Sequence, residues 1–219
     1  MLRTLHLVRH GEVHNPDHIV YGDLDGFGLS STGCRQADAV ARRLAEMQID
    51  AIVSSPLDRA VATAIPIAAS SGIELVTDDR LTEWALGSRW AGVPWDDLPT
   101  RFPGEVEAYL AHPDDLDFTP ETIADVAHRM GSVVGDLGVG HSGGRVVIVS
   151  HQDPIQALRF TLTDRRLSDL QADKPTHGCH ITLAAAGPTW VETTSWTSEE
   201  KSPRFPPLDP SETSSESVE

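Results

Sequence analysis

The chain predicts an α/β fold, a three-layer α/β/α sandwich around a mostly parallel central sheet. Three observations carry this reading. Residues 4–9 and 145–150 are largely apolar runs, the pattern of strands buried on both faces. Between and after them, strand-like and helical stretches alternate, as they do where parallel strands are joined by crossover helices. A length of 219 residues with 39% hydrophobic content suffices for one large domain with its own core.

The elements follow in order. The strand at 4–9 ends in Arg9-His10-Gly11-Glu12. Residues 33–47 predict a helix, with Ala37, Val40, Ala41 and Leu44 at helical spacing and Thr32 as its N-cap. Residues 51–54 form a short strand. Residues 56–70 predict a helix with Pro56 in its first turn and a kink at Pro66. Residues 73–76 give another strand. The stretch 84–118 carries Trp84, Trp90, Trp95 and several prolines, and reads as an irregular excursion. Its tryptophans either pack or wall a substrate entrance. A helix starts at Thr119-Pro120-Glu121 and runs to Leu137. After the strand at 145–150 come a helix of 153–162 and two antiparallel strands, near 179–185 and 189–195. From Thr197 the composition turns to Ser, Glu, Pro and Thr, too polar to offset its ordering entropy by burial. The chain therefore divides into a catalytic domain, 1–196, and an acidic tail, 197–219, expected to be mostly disordered, with Phe205 and Leu208 as its docking candidates.

Charge and cysteines narrow the function classes. A net charge of −16 argues against a nucleic-acid partner, whose phosphates attract basic faces, and against an anionic membrane surface. The two cysteines, Cys34 and Cys179, make neither a disulfide framework nor a zinc ribbon, so a cytoplasmic location is expected. No signal peptide and no transmembrane helix are expected either. The oligomeric state is not readable.

The chemistry starts at the strand tips, because open α/β sheets bind ligands beyond the carboxyl ends of their strands. His10 follows one such tip and His151 the other. A neutral imidazole nitrogen is a competent nucleophile toward phosphorus. Arg9 supplies a planar fork of donors that matches phosphate oxygens, and Gly11 lets backbone approach closely. Ser54-Ser55-Pro56-Leu57-Asp58-Arg59 follows a strand and opens a helix, which places Arg59 in a first turn that favours anions. Glu83, beside Trp84, sits in a setting that raises a carboxyl pKa and suits a general acid. Two sharper patterns fail on context. His10, His14 and His18 have ligand-like spacing, but Pro16 breaks any helix that would align them, so no metal is expected. Gly138-Val139-Gly140-His141-Ser142-Gly143 matches a dinucleotide fingerprint but precedes a strand instead of joining strand to helix. No cofactor is expected.

Leu7-Val8-Arg9-His10-Gly11-Glu12 resembles the signature of the histidine phosphatase superfamily, the phosphoglycerate mutase-like proteins. Gly22 to Gly33, Ser54-Ser55-Pro56 with Arg59 and Thr63, Leu81-Thr82-Glu83 with Trp90-Ala91-Gly92, and Ser150-His151 resemble its further motifs in order. The resemblance implies His10 as the phosphorylated nucleophile, Arg9, Arg59 and His151 as the phosphate pocket, and Glu83 as the proton donor. Two positions depart from it. Where members often carry an asparagine six residues after the nucleophile, this chain has Pro16, with Asn15 one earlier as a phosphate contact. After the last histidine, where many members have glycines, stands Gln152-Asp153-Pro154. Asp153 would either select a cationic or hydroxylated leaving group or cap the helix that follows. The implied function is hydrolysis of small phosphomonoesters through phosphohistidine. The alternatives are a phosphoglycerate mutase, which asks for more cations than Arg89 and Arg101 in the excursion, and a non-catalytic phospho-ligand binding protein.

Overall fold

The computed structural model describes residues 1–199. Most of the acidic tail, with Phe205 and Leu208, lies outside the described residues. The elements run β1 (Thr4–Arg9), α1 (Ser31–Ala45), β2 (Ala51–Ser54), α2 (Asp58–Ser71) and β3 (Leu75–Thr77). Three short helices follow, α3 (Leu86–Arg89), α4 (Leu98–Arg101) and α5 (Glu105–Ala111). The chain then forms α6 (Ile123–Gly140), β4 (Arg145–Ser150), α7 (Gln152–Leu162), β5 (Cys179–Ala186) and β6 (Thr189–Thr197).

The six strands make one sheet in the order β3-β2-β4-β1-β5-β6. β1, β4, β2 and β3 pair in parallel, β5 runs antiparallel to β1, and β6 antiparallel to β5. Strand alternation sorts the central side chains onto two faces. Leu5, Leu7, Val146 and Ile148 pack with Val126, Met130, Ile155 and Leu158 of α6 and α7. Val8, Val147 and Val149 pack on the other face with Val40, Leu44, Ala60, Ala64 and Ile67 of α1 and α2. Helices therefore cover both faces, as expected of strands that read as continuous apolar runs.

The register places the strand ends side by side. Arg9 pairs with Ser150, and Ser54 with Val149. The backbone N–H of His10 donates to Ser150 O (3.0 Å), and that of Ser55 to Val149 O (2.9 Å). His10, Ser55 and His151 are thus the first residues beyond three neighbouring parallel strands.

Helix starts differ from expectation where several capping residues compete. The N-cap of α1 is Ser30, not Thr32: its Oγ accepts from Gly33 N (3.0 Å) and donates to Glu12 Oε1 (2.6 Å), which ties the cap to the loop after β1. Pro56 lies ahead of α2, whose N-cap is Leu57, and the helix continues through Pro66 to Ser71. The long helix starts at Ile123 because Thr122 and Asp125 form a reciprocal capping box. The excursion is short helices, with Trp84 and Trp90 buried in the core and Trp95 packed against it.

Candidate active site

The site begins with His10, which is 1% exposed. Its Nδ1 lies 2.8 Å from the carbonyl oxygen of Gly11. A carbonyl only accepts, so Nδ1 carries the hydrogen and Nε2 keeps the lone pair. Burial, with Arg59, His151, Arg9 and His177 nearby, pushes the pKa well below the ordinary value. The ring is therefore neutral, with a lone pair on the nitrogen away from the backbone.

His151 is fully buried beyond β4, its ring 5.2 Å from that of His10. Its Nε2 is 2.8 Å from Ser55 Oγ. Its Nδ1 has no hydrogen-bond partner and stands 4.0 Å from Glu83 Oε2. Burial, then Arg59 and Arg9, holds this ring neutral as well.

The two arginines approach from different elements. Arg59, in the first turn of α2, donates from Nη2 to Gly22 O (2.6 Å) and lies over the Tyr21 ring at 4.8 Å. Arg9 donates from Nη1 to Pro175 O (2.8 Å) and from Nη2 to His177 Nε2 (2.9 Å). The Nε of each is buried and without a partner. Leaving a buried donor unpaired costs about 1–3 kcal/mol, so two arginine Nε–H groups left this way beside His10 favour a ligand rich in acceptor oxygens. Thr63 fastens the frame: its Oγ1 accepts from Gly11 N (3.0 Å) and donates to Arg59 O (2.7 Å).

Glu83 sits on a loop fixed from several sides. Arg129 donates to the carbonyls of Arg80, Thr82 and Glu83 at 2.7, 2.8 and 3.1 Å. Ser150 Oγ donates to Leu81 O (2.7 Å). Glu83 Oε1 accepts from Trp84 N (2.8 Å). Burial first, and the charge of Asp153 second, push the Glu83 carboxyl up to about 7. It can therefore hold or release a proton near neutrality.

The structure brings His10, Arg9, Arg59, His151 and Glu83 together and leaves Asn15 apart from them. The Asn15 amide closes its own loop, donating to Ile19 O (2.8 Å) and accepting from Ile19 N (3.2 Å). His14 and His18 are exposed while His10 is buried, so their ligand-like spacing makes no cluster. Asp153 points to Lys174 Nζ (2.8 Å) and accepts from Tyr109 OH (3.0 Å). It neither caps α7 with its side chain nor stands alone as a charge. Sequence reasoning missed His177, Tyr21, Lys174 and Tyr109. Tyr21 stood one residue ahead of a quoted motif, next to Gly22. The other three come from loops and short helices with no pattern of their own.

A family model described as histidine phosphatase superfamily, branch 1, matches residues 5–196. An uncharacterised protein of Mycobacterium tuberculosis is 46% identical over 166 residues, covering 74% of this chain and 80% of its own. Phosphoserine phosphatase 1 of Hydrogenobacter thermophilus is 32% identical over 164 residues, covering 74% of this chain and 77% of its own. Among solved structures, the complex of mycobacterial glucosyl-3-phosphoglycerate phosphatase with inorganic phosphate superposes with a TM-score of 0.79 at 28% identity, over 90% of this chain and 98% of that one. With the motifs, the sheet order and the site geometry in agreement, the chain belongs to the histidine phosphatase superfamily, branch 1.

Proposed function

We propose that this phosphatase works by two displacements at His10. The carrying observation is the neutral, buried His10 with its lone pair on Nε2, ringed by the unpartnered Arg9 Nε, Arg59 Nε and His151 Nδ1. Arg9, Arg59 and His151 hold the phosphoryl oxygens. His10 Nε2 attacks phosphorus in line, the bond from phosphorus to the leaving oxygen breaks, and Glu83 gives that oxygen its proton. Glu83, now ionised, takes a proton from water as the water oxygen bonds to phosphorus. The N–P bond breaks, its electron pair returns to Nε2, and phosphate leaves. The hydrogen bond from Nδ1 to Gly11 O steadies the positive charge on the phosphorylated ring.

The substrate is a small phosphomonoester. Mutase chemistry needs cations for a second phosphate, and in the excursion Arg89 is held by Glu105 at 2.5 Å. The proposed setting is the cytoplasm, with no nucleic-acid or membrane partner. Two free cysteines and a net charge of −16 support it, and among the described residues no helix is long and apolar enough to cross a membrane. The proposed division remains a catalytic domain over 1–196 and a tail over 197–219.

Phosphoenzyme trapping tests the mechanism. Wild-type protein quenched during turnover of an aryl phosphate yields an acid-labile, base-stable phosphoenzyme. His10→Ala yields none, and its turnover falls by at least about a thousandfold, as when a nucleophile is removed. Undiminished turnover by His10→Ala overturns the reading.

A further inference from the structure

We infer that His177 is a positioning residue of this site, fixing the Arg9 guanidinium so that its Nε–H stays directed to the phosphoryl group. The inference rests on the reading of His10 and Arg9 above. Arg9 donates to two acceptors that lie in one stretch, Pro175 to His177, just ahead of β5. A guanidinium only donates. His177 Nε2, 2.9 Å from Arg9 Nη2, must therefore carry a lone pair, which puts the His177 hydrogen on Nδ1. Burial, then the Arg9 and Arg59 charges, holds His177 neutral, in keeping with an acceptor role.

The acceptor is itself held in place. Gly178 N donates to His10 O (3.2 Å), so the stretch that carries His177 is tied to the backbone of the nucleophile. Gly178 has φ +64°, and a Cβ there would stand 2.8 Å from Gln36 Cβ, so the chain passes α1 closely and in a conformation that favours glycine. Gln152 Nε2 donates to Pro175 O (3.3 Å), the carbonyl that also accepts from Arg9. The His177 ring lies 5.4 Å from that of His10. Pro175 O and His177 Nε2 each hold one terminal nitrogen of the guanidinium, and the Tyr21 hydroxyl bonds to the same side chain, so loss of His177 leaves Nη2 without its acceptor. Removing the His177 acceptor therefore removes orientation from Arg9 without removing its charge.

The experiment compares His177→Leu, which keeps bulk without an acceptor, with His177→Gln, whose amide oxygen reaches the place of Nε2. The probe is inorganic phosphate as a competitive inhibitor, read beside KM and kcat for an aryl phosphate. H177L raises the phosphate Ki and KM together by about tenfold, the scale of a hydrogen bond to a charged group. H177Q recovers most of that loss. In an Arg9→Lys background H177L adds nothing, because the effect travels through the guanidinium. Should H177L not fold, H177N, too short to reach Arg9, takes its place. A phosphate Ki within twofold of wild type for H177L, or an equal loss in H177L and H177Q, overturns the inference. Phosphoenzyme trapping in the wild type tests the His10 reading separately. If trapping succeeds and H177L matches wild type, only the positioning role falls.

Discussion

Glu83 must give up a proton in the first displacement and take one back in the second, so its own pKa shapes the pH profile. Burial and Asp153 hold it near 7. The acid form is needed for phosphorylation of His10, and kcat/KM reports the free enzyme. His10 is already neutral across this range, because its pKa lies well below the ordinary value. The sign follows: kcat/KM for an alkyl phosphate falls as pH rises through about 7. Glu83→Gln removes that limb and slows alkyl esters by at least about a hundredfold, while aryl esters, whose leaving oxygen hardly needs a proton, lose far less. Rate profiles between pH 5 and 9 on both ester types check this, and a limb that persists in E83Q assigns the proton to another group. The residues that a strand tip or a helix start announces, His10, His151 and Arg59, were legible in the sequence, as was Glu83 through its bulky neighbour Trp84. His177 was not, because Arg9 and His177 are far apart in the chain and meet only through the β1–β5 pairing. Nor was the orientation of Asp153, which depends on Lys174 and Tyr109 arriving from two other segments.

Helix α1 meets the loop after β1 through close backbone contact as well as through the Ser30 and Gln36 side chains, which bond to Glu12. A Cβ on Gly33 would fall 2.0 Å from Glu12 O, and one on Gly11 2.5 Å from Gly33 O. The two glycines interlock the start of α1 with the nucleophile loop. In an exposed helix interior, Gly→Ala stabilises by about 1 kcal/mol. Here the sign inverts: Gly33→Ala meets backbone that cannot rotate away and costs about 1–3 kcal/mol, the scale of overpacking. It also displaces Gly11, whose N–H bonds to Thr63, so kcat falls together with stability. Urea unfolding and steady-state kinetics check both, and a G33A variant more stable than wild type refutes the interlock. This contact explains why the cap of α1 was misread by two residues. Periodicity located Ala37, Val40, Ala41 and Leu44 on the buried face, but the choice among Ser30, Ser31 and Thr32 was made by Glu12, which receives the Ser30 hydroxyl. Strands were read more accurately than helix ends because apolar runs mark their limits directly, as in β1, β2 and β4.

Across the whole molecule, the sheet carries a second pair of histidines on neighbouring strands, apart from the set gathered around His10. His6 of β1 and His180 of β5 meet at 3.0 Å, Nδ1 to Nε2. Arg43 Nε donates to His180 Nδ1 (3.2 Å). His180 Nδ1 therefore holds the lone pair and its Nε2 the hydrogen, which it donates to His6 Nδ1. Every position in this chain of bonds is filled by a neutral ring, and an added proton on His180 would face Arg43. Burial first, with Arg145 and Arg43, lowers His6 to about 4, and burial with His6 and Arg43 lowers His180 to about 3. In the unfolded chain both take a proton near 6.5. Below that pH the unfolded state binds more protons than the folded one, so stability is full above about 6.5 and falls as the pH drops toward the folded values. Carboxylate titration in so acidic a chain also moves the wild-type curve, so a difference between two proteins isolates the pair. His6→Leu removes one of these sites, and Thr182 Oγ1, 3.2 Å from His180 Nε2, remains to receive the freed hydrogen. Whatever its stability relative to wild type at pH 7, that difference shifts in favour of H6L by about 1–2 kcal/mol at pH 5, at about 1.4 kcal/mol for each pKa unit crossed. Urea unfolding of both proteins at the two pH values measures it. Parallel losses would mean that His6 takes up its proton in the folded state as readily as in the unfolded one.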